Sequence, residues 1–288
     1  MKIIECPRDA MQGLKTFIPT ECKAAYINQL LHAGFDTIDF GSFVSPKAMP
    51  QMADTAAVLS SLNLSDSDTK LLAIVANEQG AEAACSFEEI IYLGFPFSVS
   101  ETFQMRNTGA TIQESVERVK HIQKMCKAHG KQLVIYISMG FGNPYGDVWN
   151  AHVVMKWVNK LSRFGIKIFS ISDTIGRATA DQINYLMGSL MPFYPGLEFG
   201  LHLHTHPDNW KDKIAAAYDN GIRRFDTAIL GYGGCPMAGS ELVGNLPTDR
   251  LLQFMAERQI VSEISPSVIS LLEDSFQQLI NLELCSSH

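Results

Sequence analysis

The sequence predicts a (β/α)8 barrel, and three observations carry the prediction. Short segments rich in Val, Ile, Leu and Phe alternate with helix-length segments, and the unit occurs eight times. Strands of that composition are expected where protein covers both faces of a parallel sheet. The 288 residues suit eight such units, since a single barrel of this kind takes about 250 residues. The doubly wound open sheet is the alternative, but it needs a Gly-rich first turn, and Glu5-Cys6-Pro7-Arg8 contains no glycine.

The elements follow in order. Residues 2–5 form the first strand, and Thr20 is placed to cap a helix over 21–33 that Gly34 stops. A strand at 37–41 is followed by a helix at 52–62, and the run 71–76 by a short Ala-rich helix at 78–85. Residues 89–93 make strand four, with a long helix from 111 to 128. Strand five spans 133–139 with a helix at 151–163, and strand six 167–172 with a helix at 180–191. Strand seven spans 197–204 with a helix at 209–220, and strand eight 223–229 with a helix at 249–257. An extra C-terminal helix over 266–284 is expected outside the barrel, a place compatible with a homodimer contact and equally with packing on its own barrel. No Pro-, Gly- or Ser-rich linker divides the chain, so residues 1–288 are expected to form one domain.

Composition narrows the function classes. With 46% hydrophobic and 18% charged residues the chain is globular. A net charge of −7 argues against a nucleic-acid partner or an acidic membrane surface, so an anionic ligand must be met by a few local cations. No apolar run approaches the roughly 20 residues that cross a bilayer, and no signal or transit peptide is read at the start. The six cysteines lack CxxC spacing, which suggests neither a zinc knuckle nor a disulfide framework. A reduced, cytoplasmic protein is expected.

In such a barrel the chemistry sits at the carboxyl ends of the strands. Polar, reactive residues fall there: Arg8, Asp9 and Gln12 after strand one, Asp39 and Ser42 at strand two, Glu101 after strand four, and Asp173-Thr174 after strand six. His202 and His204 end strand seven, and Cys235 and Asn245 lie beyond strand eight. At i and i+2 of a strand the two imidazoles share one face, a ready pair of metal ligands. With Asp9 and Asn245 they make a mixed N/O set that suits Mg2+ or Mn2+ and lacks the thiolate that favours zinc. Two histidines in a strand are often just a packed pair; their placement with Asp9 and Asn245 favours the ligand reading. His206 lies before Pro207, past the strand, and is left out of the set. Arg8 is suited to hold negative charge developing on a substrate oxygen. Asp39, in an apolar strand, is costly unless paired, and Arg8 is its natural partner. The glycines of Leu230-Gly231-Tyr232-Gly233-Gly234-Cys235-Pro236 match no phosphate-binding fingerprint. They suit a loop that folds over the barrel mouth and presents Cys235 as a proton donor, while the other five cysteines are read as inert.

By these residues the chain resembles the 3-hydroxy-3-methylglutaryl-CoA lyase family of metal-dependent carbon–carbon lyases. The resemblance rests on Pro7-Arg8-Asp9-Ala10-Met11-Gln12, on Ser42-Phe43-Val44-Ser45-Pro46-Lys47 with Pro50-Gln51-Met52, and on Ser100-Glu101. Asn143-Pro144-Tyr145, Asp173-Thr174-Ile175-Gly176, Gly233-Gly234-Cys235-Pro236 and Gly244-Asn245-Leu246 extend it in order. It implies metal-dependent retro-Claisen cleavage of 3-hydroxy-3-methylglutaryl-CoA to acetyl-CoA and acetoacetate, with the divalent cation on Asp9, His202, His204 and Asn245. It further implies Arg8 at the enolate oxygen, Gln12 positioning it, Cys235 as mobile acid/base, and His202 or Asp39 as acceptor of the hydroxyl proton. Substrate contacts are expected at Arg8, Lys15, Ser42, Lys47 and Asp173. Asp39 is one methylene shorter than the family's usual Glu, so its contact with Arg8 is expected to need rearrangement or a water. Ala10 stands for a Gly, Thr205-His206 for Asp-Thr, and Ser240-Glu241-Leu242-Val243 for a run of small residues. The rival readings are a related lyase, aldolase or Claisen-type synthase such as an isopropylmalate synthase relative, and a CoA-thioester-binding barrel without turnover.

Overall fold

A computed structural model describes residues 1–234 and 243–286. Eight strands, β1 (Lys2–Glu5), β2 (Thr37–Ser42), β3 (Lys70–Ile74), β4 (Ile90–Ser98), β5 (Gln132–Ser138), β6 (Ile168–Ser172), β7 (Glu198–His202) and β8 (Arg224–Thr227), close into a barrel in chain order. The expected (β/α)8 architecture is the one observed. β8 pairs in parallel with both β1 and β7, setting Asp226 beside Ile4 on one side and beside His202 on the other. That closure brings chain segments more than 200 residues apart to one end of the barrel.

The helices are α1 (Pro7–Gln12), α2 (Thr20–Leu31), α3 (Thr55–Ser60), α4 (Glu78–Cys85), α5 (Glu101–Thr108) and α6 (Ile112–Ala128). α7 (Ala151–Ser162), α8 (Ala180–Leu190), α9 (Trp210–Asp219), α10 (Thr248–Glu257) and α11 (Pro266–Ser286) follow. Side chains start several of them. Thr111 and Thr179 form capping boxes with Glu114 and Gln182, and Asn77, Ser100 and Asn150 each accept a backbone N–H. Thr20 does not cap α2: Pro19 holds that position, and the Thr20 hydroxyl donates to Asp54 at 2.8 Å.

Two apolar layers hold the barrel. Outward residues such as Ile38, Phe95, Ile135 and Phe169 pack under Ile27, Val119, Val158 and Leu186 of the helices. Leu72, Tyr92, Val134, Tyr136 and Ile168 fill the inside. Arg224 lies with that inner layer, only 1% exposed, its guanidinium 5.8 Å from the Tyr92 ring. Gly200 makes room for it, since a Cβ there would stand 2.9 Å from the Arg224 side chain.

Several boundaries differ from expectation. β4 runs on through Gly94 and Pro96, paired residue for residue with β5, because Pro96 sits in a strand otherwise fully laddered. The short helices α1 and α5 were not anticipated, and the expected helix over 52–62 divides into a 3-10 turn at Pro50–Met52 and α3. β7 stops at His202, so His204 lies past the strand, in an isolated antiparallel bridge to Asn245. α11 packs on its own barrel: Phe276 stands 5.3 Å from Tyr26 of α2 and 5.2 Å from Tyr232. No helix among the described residues is long and apolar enough to cross a membrane.

Candidate active site

The carboxyl end of β1 turns directly into α1, whose first turn carries Arg8 and Asp9 and whose last residue is Gln12. Pro7 at the first helical position suits this abrupt start, because a helix needs no N–H there. One helical turn places three polar side chains over the barrel mouth. Arg8 is their hub. Its Nη1 donates to Asp9 at 2.9 Å and to Gln12 at 2.8 Å, while Gln12 Nε2 donates to Asp9 at 2.6 Å.

Asp39 meets Arg8 from β2. Nε donates to both carboxylate oxygens at 3.2 and 3.1 Å, and Nη2 to Oδ2 at 2.5 Å. The shorter Asp side chain therefore reaches Arg8 directly, correcting the expectation of a rearranged or water-bridged contact. Burial pushes the Asp39 carboxyl up to about 6 against the opposing pull of Arg8, leaving it an anion at neutral pH. Burial acts on Asp9 in the same sense, but the Arg8 charge, followed by His202 and Asn245, outweighs it and holds Asp9 at about 2.

The seventh and eighth units bring the remaining polar atoms. Asn245 Nδ2 donates to Asp9 Oδ2 at 2.6 Å and to the Tyr232 carbonyl at 2.8 Å. Gly233, with φ +99°, permits this approach; a Cβ would stand 2.6 Å from Asn245 Nδ2 and 2.8 Å from the Asp9 carbonyl. The His202 and His204 rings lie 5.4 Å apart at 72°. Burial lowers His204 to about 4, with the His202 charge next in weight, so its ring is neutral at pH 7. Burial also depresses His202, but the hydrogen bond and charge of Asp226 outweigh it and raise the ring's pKa.

These groups fit a divalent cation. Ligand atoms of Asp9, His202 and His204 lie within 4.8 Å of one another. His204 Nε2 and Asn245 Oδ1 are buried without a hydrogen-bond partner among the described residues. Two orphaned acceptors beside an ionised carboxylate are costly unless a cation meets them, and the N/O donor types suit one.

Other expected residues stand elsewhere. Asp173, 1% exposed, accepts from Lys213 Nζ at 2.8 Å and from the Ala178 N–H at 3.0 Å. Lys213 also donates to the His204 carbonyl at 2.7 Å, so the carboxylate expected to face substrate instead braces the backbone of His204. Ser42 is buried at the end of β2; its Oγ accepts the Val44 N–H at 3.3 Å and its N–H donates to Thr55. Lys15 and Lys47 are exposed, on the connections after α1 and β2. Cys235 lies outside the described residues.

Three buried groups escaped sequence reasoning. Asp226 of β8 accepts from Ser170 at 3.0 Å and lies 3.2 Å from His202 Nδ1, which fixes that ring. Glu5 accepts from Thr248 at 2.7 Å, from Thr227 at 3.2 Å and from the Ile229 N–H at 2.8 Å, tying β1 to the start of the eighth loop. Cys6 lies beside both His202 and Asp226. The signal for Asp226 was present: like Asp39, it is a carboxylate inside a barrel strand.

The HMGL-like family model matches residues 2–274. The 3-hydroxy-3-methylglutaryl-CoA lyase, cytoplasmic, of Danio rerio is 32% identical over 258 residues, 88% of this chain and 76% of its own length. The 3-hydroxy-3-isohexenylglutaryl-CoA/hydroxy-methylglutaryl-CoA lyase of Pseudomonas aeruginosa is 33% identical over 86% of this chain and 82% of its own. An HMG-CoA lyase structure from Acenitobacter baumannii, in complex with coenzyme A and 3-methylmalate, superposes with a TM-score of 0.90 at 28% identity, covering 98% of this chain and 91% of that one.

Proposed function

The chain belongs to the HMGL-like family, and on that premise we propose that it is a carbon–carbon lyase cleaving 3-hydroxy-3-methylglutaryl-CoA to acetyl-CoA and acetoacetate. The observation that carries the reading is the convergence of Arg8, Asp9, His202, His204 and Asn245 at one end of the barrel.

In this reading Asp9, His202, His204 and Asn245 hold a divalent cation, Mg2+ or Mn2+ by their donor types. When bound it supplies Lewis acidity toward the substrate's oxygens. Arg8, held by Asp39, Asp9 and Gln12, presents a fixed charge to the oxygen that becomes negative as the bond breaks. Its orientation is set before substrate arrives, so little reorganisation accompanies the reaction. Asp39 has both oxygens on Arg8 and acts as a positioning residue. The second ring nitrogen of His202 cannot hold a cation and accept a proton at once, so we keep it for the cation and give the substrate's hydroxyl proton to Asp39, the other proposed acceptor, whose carboxyl burial raises to about 6. Cys235 is the proposed donor of the proton that the acetyl-CoA enolate takes up at carbon. Lys15 and Lys47 are the proposed local cations for the CoA phosphates; both are exposed on loops that follow α1 and β2. We further propose a cytoplasmic location and a homodimer, with Leu271 of α11, 65% exposed, as a contact to test by sedimentation.

The test is acetoacetate release from 3-hydroxy-3-methylglutaryl-CoA by the purified chain, with Mg2+ or Mn2+ and after chelation. Release that chelation abolishes and added metal restores is expected. No release with metal present overturns the assignment.

A further inference from the structure

Beside the proposed cation site lies a second group of donors, which shares His202 with it and whose other two members the reaction does not use. Cys6 Sγ, a ring nitrogen of His202 and a carboxylate oxygen of Asp226 all lie within 4.8 Å of one another, and Cys6 and Asp226 are 1% and 2% exposed. Asp226 reaches His202 Nδ1 and the Ser170 hydroxyl through Oδ2 alone. Its Oδ1 is buried with no hydrogen-bond partner among the described residues. The Cys6 thiol has only a long contact, 3.7 Å, to the Ile4 carbonyl. The buried Arg224 guanidinium acts on Asp226 through its charge and gives this oxygen no hydrogen bond, which leaves a carboxylate oxygen free of donors among the described residues beside a weakly engaged thiol and an imidazole.

We propose that Cys6, His202 Nδ1 and Asp226 form a binding site for a thiophilic divalent cation of the Zn2+ or Cd2+ kind, and that its occupation excludes the cation of the neighbouring site. The donor set differs from its neighbour by one sulfur, and a thiolate with an imidazole selects softer ions than two imidazoles with oxygen donors do. A tetrahedral ion with donors about 2.0–2.3 Å away needs them roughly 3.3–3.8 Å apart; His202 Nδ1 and Asp226 Oδ2 already stand 3.2 Å apart, and Cys6 Sγ lies within 4.8 Å of the other two residues' donors.

Exclusion follows from the chemistry of one ring. A neutral imidazole carries one lone pair and one N–H. Nδ1 is turned to Asp226, which leaves Nε2 as the nitrogen for Asp9 and His204. When a cation binds Nδ1, the ring proton moves to Nε2, and the Cys6 thiol proton is released to solvent as the metal–sulfur bond forms. Nε2–H then points at the neighbouring site and offers it no lone pair. The two sites share His202 and compete for it. This second half rests on the proposed function; the pocket itself does not.

The experiment uses the full metal-stripped chain carrying Cys235→Ala, which removes the thiol proposed as proton donor, compared with the same chain carrying Cys6→Ser as well. Cd2+ is titrated while the ultraviolet charge-transfer band of a cadmium–thiolate bond is recorded, and bound Mn2+ is counted separately by electron paramagnetic resonance. A band reaching saturation near one equivalent that disappears with Cys6→Ser is expected. Cd2+ at ten times its dissociation constant for the Cys6 site should weaken Mn2+ binding by about tenfold more in the Cys6 chain than in the Cys6→Ser chain, whose own loss reads direct competition at the neighbouring site. A band of equal size in both chains overturns the site. A Cys6-dependent band with unaltered Mn2+ binding overturns the exclusion. If Mn2+ fails to bind even without Cd2+, the proposed function fails, while the band still decides the pocket. Cys6→Ala serves as the second variant should the serine chain not fold.

Discussion

Arg8 grips Asp39 with two of its guanidinium nitrogens, Nε and Nη2, across the junction of the first and second βα units. Both groups are buried, so each is the other's replacement for water. The third nitrogen, Nη1, remains with Asp9 and Gln12. The ion pair thus sets the direction of the one cation proposed to meet the substrate oxygen.

Asp39→Ala leaves Arg8 buried without that carboxylate. Breaking one partner of a buried pair costs about 3–5 kcal/mol, and chemical denaturation should register a loss of that size. Turnover should fall more than KM rises, because the guanidinium loses its orientation rather than its charge. Unchanged kcat in a folded Asp39→Ala chain contradicts the positioning role.

Asp226→Asn keeps the shape of the group that fixes His202 and removes its charge. A partner of this kind is worth about 10–100-fold in metal affinity, so Mn2+ binding should weaken by that factor. Calorimetric titration of the metal-stripped chain reads it directly. Equal Mn2+ affinity in the two chains would show that the ring needs no such brace.

Glu5 gives the chain a pH dependence of stability. Burial raises its carboxyl from 4.5 to about 7, against the hydrogen bonds of Thr248, Ile229 and Thr227. A raised carboxyl binds its proton more tightly when folded, so its contribution is complete below pH 4.5 and is lost as pH rises toward 7. That loss is on the order of 3 kcal/mol. Glu5→Gln should flatten this part of the Tm-against-pH curve and melt above the parent at pH 8. Parallel curves for the two chains are the contrary result.

Lys213→Met strands Asp173, which then holds a buried charge with only backbone partners. A destabilisation of about 3–5 kcal/mol is expected in denaturant. Because Lys213 also holds the His204 carbonyl at 2.7 Å, Mn2+ affinity should fall with it. A stable Lys213→Met chain would mean that the clamp is dispensable.

The barrel was legible because eight apolar runs needed cover on both faces, and most helices announced themselves by length and caps. α1 and α5, of six and eight residues, were not legible. Helices so short take their stability from the barrel mouth on which they rest rather than from their own propensity. β4 runs past the expected end at residue 93, and Gly94 makes room there, where a Cβ would stand 2.5 Å from Ile74 and 2.9 Å from Tyr136. Asp9, His202 and His204 do come together, although His204 arrives through its bridge to Asn245 and not through strand alternation. Asp226 stayed hidden because its partners, His202 and Ser170, are 24 and 56 residues away in sequence.

Phe276 meets Tyr26 at a tilt and Tyr232 edge to face, and the Tyr232 carbonyl receives Asn245. A polypeptide growing from the ribosome has made Asp9, both histidines and Asn245 well before this phenylalanine is joined. A chain cut before Pro266 would therefore carry the reactive groups while lacking the keystone that steadies them.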